Sequence, residues 1–82
     1  MKISFEDFYK LSDIERINFI GIAESPSVVV YLKKGFFHRE DGPAVIHPNG
    51  YKEYWINDEH LKNCHSDEAL KLYVDMLRLK KI

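Results

Sequence analysis

The sequence predicts an α+β fold: an N-terminal helical segment, a four- to five-stranded antiparallel β-meander, and a C-terminal amphipathic helix packed on the sheet. Apolar spacing at each of the two ends carries the helices. There apolar residues recur at spacings of three and four. A third observation carries the meander: between the helices, a β-branched run is followed by turn residues about every eight to ten positions.

The first zone covers residues 1–24. Ser4 precedes Asp7 by three positions, a loose cap. Ser12-Asp13-Ile14-Glu15 is a capping box, in which Ser12 bonds the Glu15 amide and Glu15 reaches back. Phe5, Phe8, Tyr9, Leu11, Ile14, Ile17 and Ile20 form one stripe, expected to be buried on a helix pair or a bent helix. Gly21 and Pro26 end it, and residues 24–27 read as a linker.

The second zone, residues 28–63, is the meander. Val28 to Leu32 is the β-branched run. Lys33-Lys34-Gly35 turns it and Phe36-Phe37-His38 returns. Asp41-Gly42-Pro43 is a second turn, Ala44–His47 a third strand, and Pro48-Asn49-Gly50 a third turn. Asn-Gly is a strong hairpin signal. Tyr51–Ile56 is a fourth strand, Asn57-Asp58 turns again, and residues 60–63 close a short fifth strand. The third zone, residues 66–81, is a helix. Ser66 caps it, Asp67 and Glu68 sit in its first turn, and Arg78, Lys80 and Lys81 sit at its far end, all favourable to the macrodipole. Leu70, Tyr73, Val74 and Leu77 make its apolar face, broadened by Ala69 and Met76.

The totals bound the function. Eighty-two residues suffice for one domain, 1–82. Apolar residues at 45% and aromatics at 13% support a packed core rather than disorder. A formal net charge of −1 argues against a nucleic-acid binder, which needs an excess of Lys and Arg. The lone cysteine, Cys64, allows no intrachain disulfide and points to a reducing compartment. No signal peptide or membrane span is visible, so a cytoplasmic protein is expected, with any membrane link made through a partner.

His38, Asp41 and His47 are the obvious candidates for acid–base chemistry. However, Asp41 stands before Gly42-Pro43, where an Asp more often caps backbone amides as an Asx turn. Arg39 beside Glu40 and Asp41 is most simply a local ion pair. His38, Arg39, Asp41, Gly42, Pro43, Asn49 and Gly50 are therefore taken as a structural turn motif, with no catalytic residue. His60, Cys64 and His65 lack the paired arms of a zinc site, and Cys64 lacks a nucleophile signature. No metal and no cofactor is expected. Phe36, Phe37, Arg39, Tyr51, Tyr54 and Trp55 are the candidate partner-binding residues. Five aromatics on alternating positions do not all face one side of a sheet, and an aromatic patch beside an arginine has the composition of an interface hot spot.

His38-Arg39-Glu40-Asp41-Gly42-Pro43-Ala44, followed by Asn49-Gly50 and Tyr54-Trp55-Ile56-Asn57, resembles the HREDGPA repeat of tailed phages and large DNA viruses. That repeat is similar to MORN-type β-hairpin repeats. Residues 31–38 fit its first hairpin and residues 54–61 a second, decayed copy offset by 23. The resemblance covers residues 28–63. It implies a small, non-enzymatic phage accessory protein acting on a protein partner. One such protein is a cytoplasmic antiholin of the T-even type, which grips the cytoplasmic segment of a phage holin and delays lysis. The alternative it implies is an inhibitor of a host nuclease or anti-phage defence complex.

Overall fold

A computed structural model describes residues 1–80. The strands and helices run β1 (Lys2–Ser4), α1 (Phe5–Lys10), α2 (Asp13–Ile17), β2 (Ile20–Ser25), β3 (Val28–Lys33), β4 (Phe36–Phe37), β5 (Val45–Ile46), β6 (Lys52–Glu53), β7 (Trp55–Ile56), β8 (Glu59–His60) and α3 (Asp67–Leu79). The class is α+β, with helices at the N-terminal side and the C-terminal end and a mostly antiparallel sheet between them. Lys81, expected at the basic end of α3, lies outside the described residues.

Both cap signals near the N-terminus act locally. Ser4 Oγ accepts the Asp7 N–H at 3.1 Å and opens α1. The Ser12–Glu15 capping box opens α2. Between them Leu11 is extended, so the two helices are separate rather than one bent rod. Arg16 braces the corner by donating to the carbonyls of Tyr9 and Leu11.

The expected helical segment over residues 1–24 ends at Ile17. Ile20–Ser25, expected in part as helix and in part as linker, is a six-residue strand, and Pro26-Ser27 is its hairpin turn rather than a linker. The reason is pairing. Ile20 through Ser25 meet Lys33 through Val28 rung for rung, so the β-branched run of β3 recruits the segment before it. Lys2–Ser4 then joins the outer edge of β2 in parallel. Gly21 makes this possible. A Cβ there would lie 2.2 Å from the Met1 carbonyl oxygen, which accepts the N–H of Ile22.

The main sheet runs β1-β2-β3-β5-β6, with β4 sharing the β5 edge of β3. β7 and β8 form a separate two-stranded sheet. The meander is thus broken into shorter strands than expected, and the sheet gains β1 and β2 from the N-terminal zone.

Two cores result. Phe19, Ala23, Val30, Leu32 and Val45 form the first, with Ile3, Phe5, Phe8, Leu11, Phe37 and Trp55 packed around it. Tyr54, Ile56, Leu61, Leu70 and Val74 form the second, where α3 lies on the β7–β8 sheet. Strand alternation explains the division: Trp55 points to the first core while Tyr54 and Ile56 point to the second. The N-terminal stripe is only partly buried. Phe5, Phe8 and Leu11 pack on the first core, but Tyr9, Ile14, Ile17 and Ile20 are 69%, 69%, 61% and 60% exposed. Helices of six and five residues cover little of the sheet, and the stripe continues past their ends.

Leu70 is the largest fully buried side chain and anchors α3. Leu70→Ala is expected to cost about 2–5 kcal/mol. Thermal unfolding followed by circular dichroism checks this, and an unchanged midpoint would remove α3 from the cooperative core.

Candidate functional site

The His38–Ala44 segment is an excursion from the edge of β3. The chain leaves at His38, whose N–H donates to the Tyr31 carbonyl at 3.1 Å. It returns at Ala44, whose carbonyl accepts the Tyr31 N–H at 2.7 Å. Both ends meet the same residue, so the excursion advances the chain by nothing along the edge. β4 and β5 are the two halves of one interrupted strand.

Each motif side chain has a contact that explains it. Asn57 donates its N–H to His38 Nδ1 at 2.9 Å, so the ring proton belongs on Nε2, which faces Glu40 Oε2 at 3.1 Å. Arg39 lies over the Tyr31 ring at 3.9 Å and donates to the Asp41 carboxylate at 2.8 Å and the Pro43 carbonyl at 3.3 Å. Glu40 accepts from Arg78 at 2.8 Å and so ties the excursion to α3. Gly42 lies against the guanidinium, where a Cβ would sit 2.9 Å from Arg39 Cζ. Ala44 is fully buried. Asp41 takes its partner from the Arg39 side chain rather than mainly from a backbone Asx turn. Asn49 does make such a turn, accepting the Tyr51 N–H at 3.0 Å. Gly50 follows it at a φ of 88°.

Charges in the excursion are mutually compensated. The bond from His38, then Arg78, holds the Glu40 carboxyl below its ordinary range, against partial burial. Arg39 does the same for Asp41.

The six candidate partner-binding residues are not brought together. Tyr54 is buried, and its hydroxyl donates to Asp67 at 2.9 Å. Burial, then that carboxylate, pushes the Tyr54 hydroxyl up to about 12. Phe37 meets Trp55 edge-to-face at 4.9 Å. Trp55 stacks on His60 at 4.7 Å. Arg39 is committed to the excursion. Only Phe36 and Tyr51 are largely exposed.

A second polar cluster escaped the sequence reading. Glu53 accepts from His47 Nε2 at 2.6 Å and Trp55 Nε1 at 3.1 Å, with His60 Nε2 at 3.8 Å. It joins β6, β7 and β8 to the residue that follows β5. The signal was faint: His47 and Glu53 flank the Asn49-Gly50 turn, but His60 comes from the next sheet. The bond from His47 holds the Glu53 carboxyl below its ordinary value of 4.5, with burial opposing and Trp55 assisting. Among the described residues, no group of three or more His, Cys, Asp or Glu is placed to hold a metal ion. No helix among them is long and apolar enough to cross a membrane.

Gly42→Ala is expected to push the guanidinium off Tyr31 and cost about 1 kcal/mol. The cost should vanish in an Arg39→Ala background, which a double-mutant cycle of thermal unfolding measures. For Glu53 the depressed carboxyl stabilises the fold above 4.5, and that stabilisation is lost as pH falls through the folded value. The destabilisation by Glu53→Gln at neutral pH should therefore shrink below pH 4.5, read from unfolding midpoints across a pH series.

Comparison with known proteins finds cytochrome c oxidase subunit 6a, mitochondrial, of Arabidopsis thaliana, 36% identical over 67 aligned positions. The alignment takes in 67% of this chain and 66% of that protein, so the chain spans a little under two thirds of the relative's length. No family model matches. No solved structure matches. The similarity overturns what the HREDGPA resemblance implied. The likeness is to a protein named as mitochondrial, not to a phage repeat protein, an antiholin on a holin, or an inhibitor of a host nuclease or defence complex. It likewise replaces the expected cytoplasmic location with a mitochondrial relative. In the structure His38, Arg39, Glu40, Gly42 and Ala44 each answer a local packing need at a broken strand edge, and such a building block names no function.

Proposed function

We propose that this chain is a non-enzymatic binding subunit of a larger protein assembly, of the cytochrome c oxidase kind that its Arabidopsis relative's name states. The observation that carries this reading is the apolar surface left uncovered at the N-terminal side. Ile14 and Ile17 of α2 are exposed, as is Ile20 at the start of β2. Ile20 lies opposite Lys33, and Lys33 opposite Phe36, so Ile20 and Phe36 share one row on one sheet face. Large apolar side chains grouped in this way on a small domain favour a protein contact. The binding residues then shift from the six first considered to Ile17, Ile20 and Phe36, with Phe37, Tyr54, Trp55 and Arg39 serving packing. The excursion at His38–Ala44 acts as the brace that fixes the sheet edge.

The test is native-gel separation of membranes from cells expressing the tagged chain. Co-migration with cytochrome c oxidase subunits is expected. Ile17→Glu and Ile20→Glu are expected to reduce it about tenfold or more while leaving thermal unfolding unchanged. Migration as a free small protein would overturn the proposal.

A further inference from the structure

The chain builds the same hairpin twice. β3 and β4 are joined by Lys34-Gly35, with φ of 53° and 78°; β7 and β8 are joined by Asn57-Asp58, with φ of 48° and 68°. Both are two-residue left-handed turns of the type that fits strand twist. Leu32 faces Phe37 and Lys33 faces Phe36 in the first; Trp55 faces His60 and Ile56 faces Glu59 in the second. One rung further out, His38 donates to the Tyr31 carbonyl and Leu61 to the Tyr54 carbonyl.

Each hairpin also docks in the same way, through the second residue of its turn. The Gly35 N–H donates to the Phe19 carbonyl at 3.1 Å. The Asp58 N–H donates to the Phe37 carbonyl at 2.8 Å, and the Asp58 carboxylate accepts the Phe37 N–H at 3.2 Å. Phe37 is open to this because it belongs to a non-hydrogen-bonded pair, so its N–H and carbonyl face away from β3.

His60 holds in the second hairpin the position that Phe37 holds in the first. By the same alternation, its N–H and carbonyl face away from β7. That edge borders an open groove of about 440 Å³, lined by His60, Leu61, Lys62, Cys64, Ala69 and Tyr73 among others. The His60 carbonyl takes only the Lys62 N–H of the following turn, at 3.1 Å, which leaves a second lone pair. Glu59 is the one carboxylate on the lining and Lys62 the one ammonium. Among the described residues both turns of this type are already engaged, at Phe19 and Phe37. A second copy therefore has no free turn of this kind to offer.

We propose that this groove receives the turn of a β-hairpin from a partner protein, a two-residue left-handed turn ending in Asp. Its amide donates to the His60 carbonyl, and its carboxylate accepts the His60 N–H, as Asp58 does at Phe37. The proposal rests on the binding-subunit reading and names one contact of that subunit. It repeats at the next free edge the two-bond contact that Asp58 makes at Phe37, with Lys62 on the lining beside it.

The probe is a disulfide-cyclised peptide with the sequence of residues 54–61, titrated into the ¹⁵N-labelled full chain. Saturable amide shifts are expected at Lys62, Cys64 and Ala69. They should need about tenfold more peptide when the peptide's turn Asp is replaced by Ala. They should disappear in Ala69→Leu, whose folding is checked by thermal unfolding. Shifts elsewhere, no saturation, or equal binding of the Ala peptide would overturn the proposal. Oxidase co-migration that survives Ala69→Leu would overturn the groove and leave the subunit reading standing. Peptide binding by a chain that never co-migrates would overturn the subunit reading and keep the groove.

Discussion

Tyr31 is the residue on which the middle of the molecule depends. Its backbone must be paired on the outer edge of β3, and two different segments supply the partners: the His38 N–H and the Ala44 carbonyl. Its ring supports the Arg39 guanidinium that holds the intervening loop closed. Because the loop closes on itself at one rung, β5 can resume pairing with Val29 and Val30 just where β4 stopped. The Arg39 N–H, turned outward by the excursion, takes the Trp55 carbonyl and so draws in β7. Glu40 reaches Arg78 and positions the end of α3.

From that rung the molecule divides into two cores joined by β7. A chain of 82 residues has little apolar surface to spare, and splitting the core makes each half smaller. Polar links compensate at the seam. Asp58 meets both backbone groups of Phe37, and Glu53 gathers His47, Trp55 and the neighbourhood of His60. These contacts account for aromatics and charges that otherwise resemble a site. What they leave over is exposed apolar side chains at α2, β2 and β4, together with the outer edge of β8.

Local chemistry was legible in the sequence. The Ser4, Ser12 and Ser66 caps, the turns at Lys34-Gly35 and Asn57-Asp58, and the Leu70–Leu77 face of α3 each depend on residues a few positions apart. So did the α+β class and the polar, non-apolar character of the His38–Pro43 loop. The Glu53 cluster was less visible because its members come from three strands in two sheets and from the turn after β5.

What only the tertiary structure decided is every feature set by distant pairing. Ile20 carries the helical stripe spacing, yet it opens a strand because Lys33 and its neighbours pair with Ile20–Ser25 across a tight turn. Tyr9, Ile14 and Ile17 have core spacing, yet they are exposed because two short helices cannot carry them all onto one sheet. The HREDGPA run names a packing solution, and its neighbours alone show which strand edge it breaks. Sequence periodicity fixes which side chains share a face. Only the completed sheet fixes whether anything lies against that face.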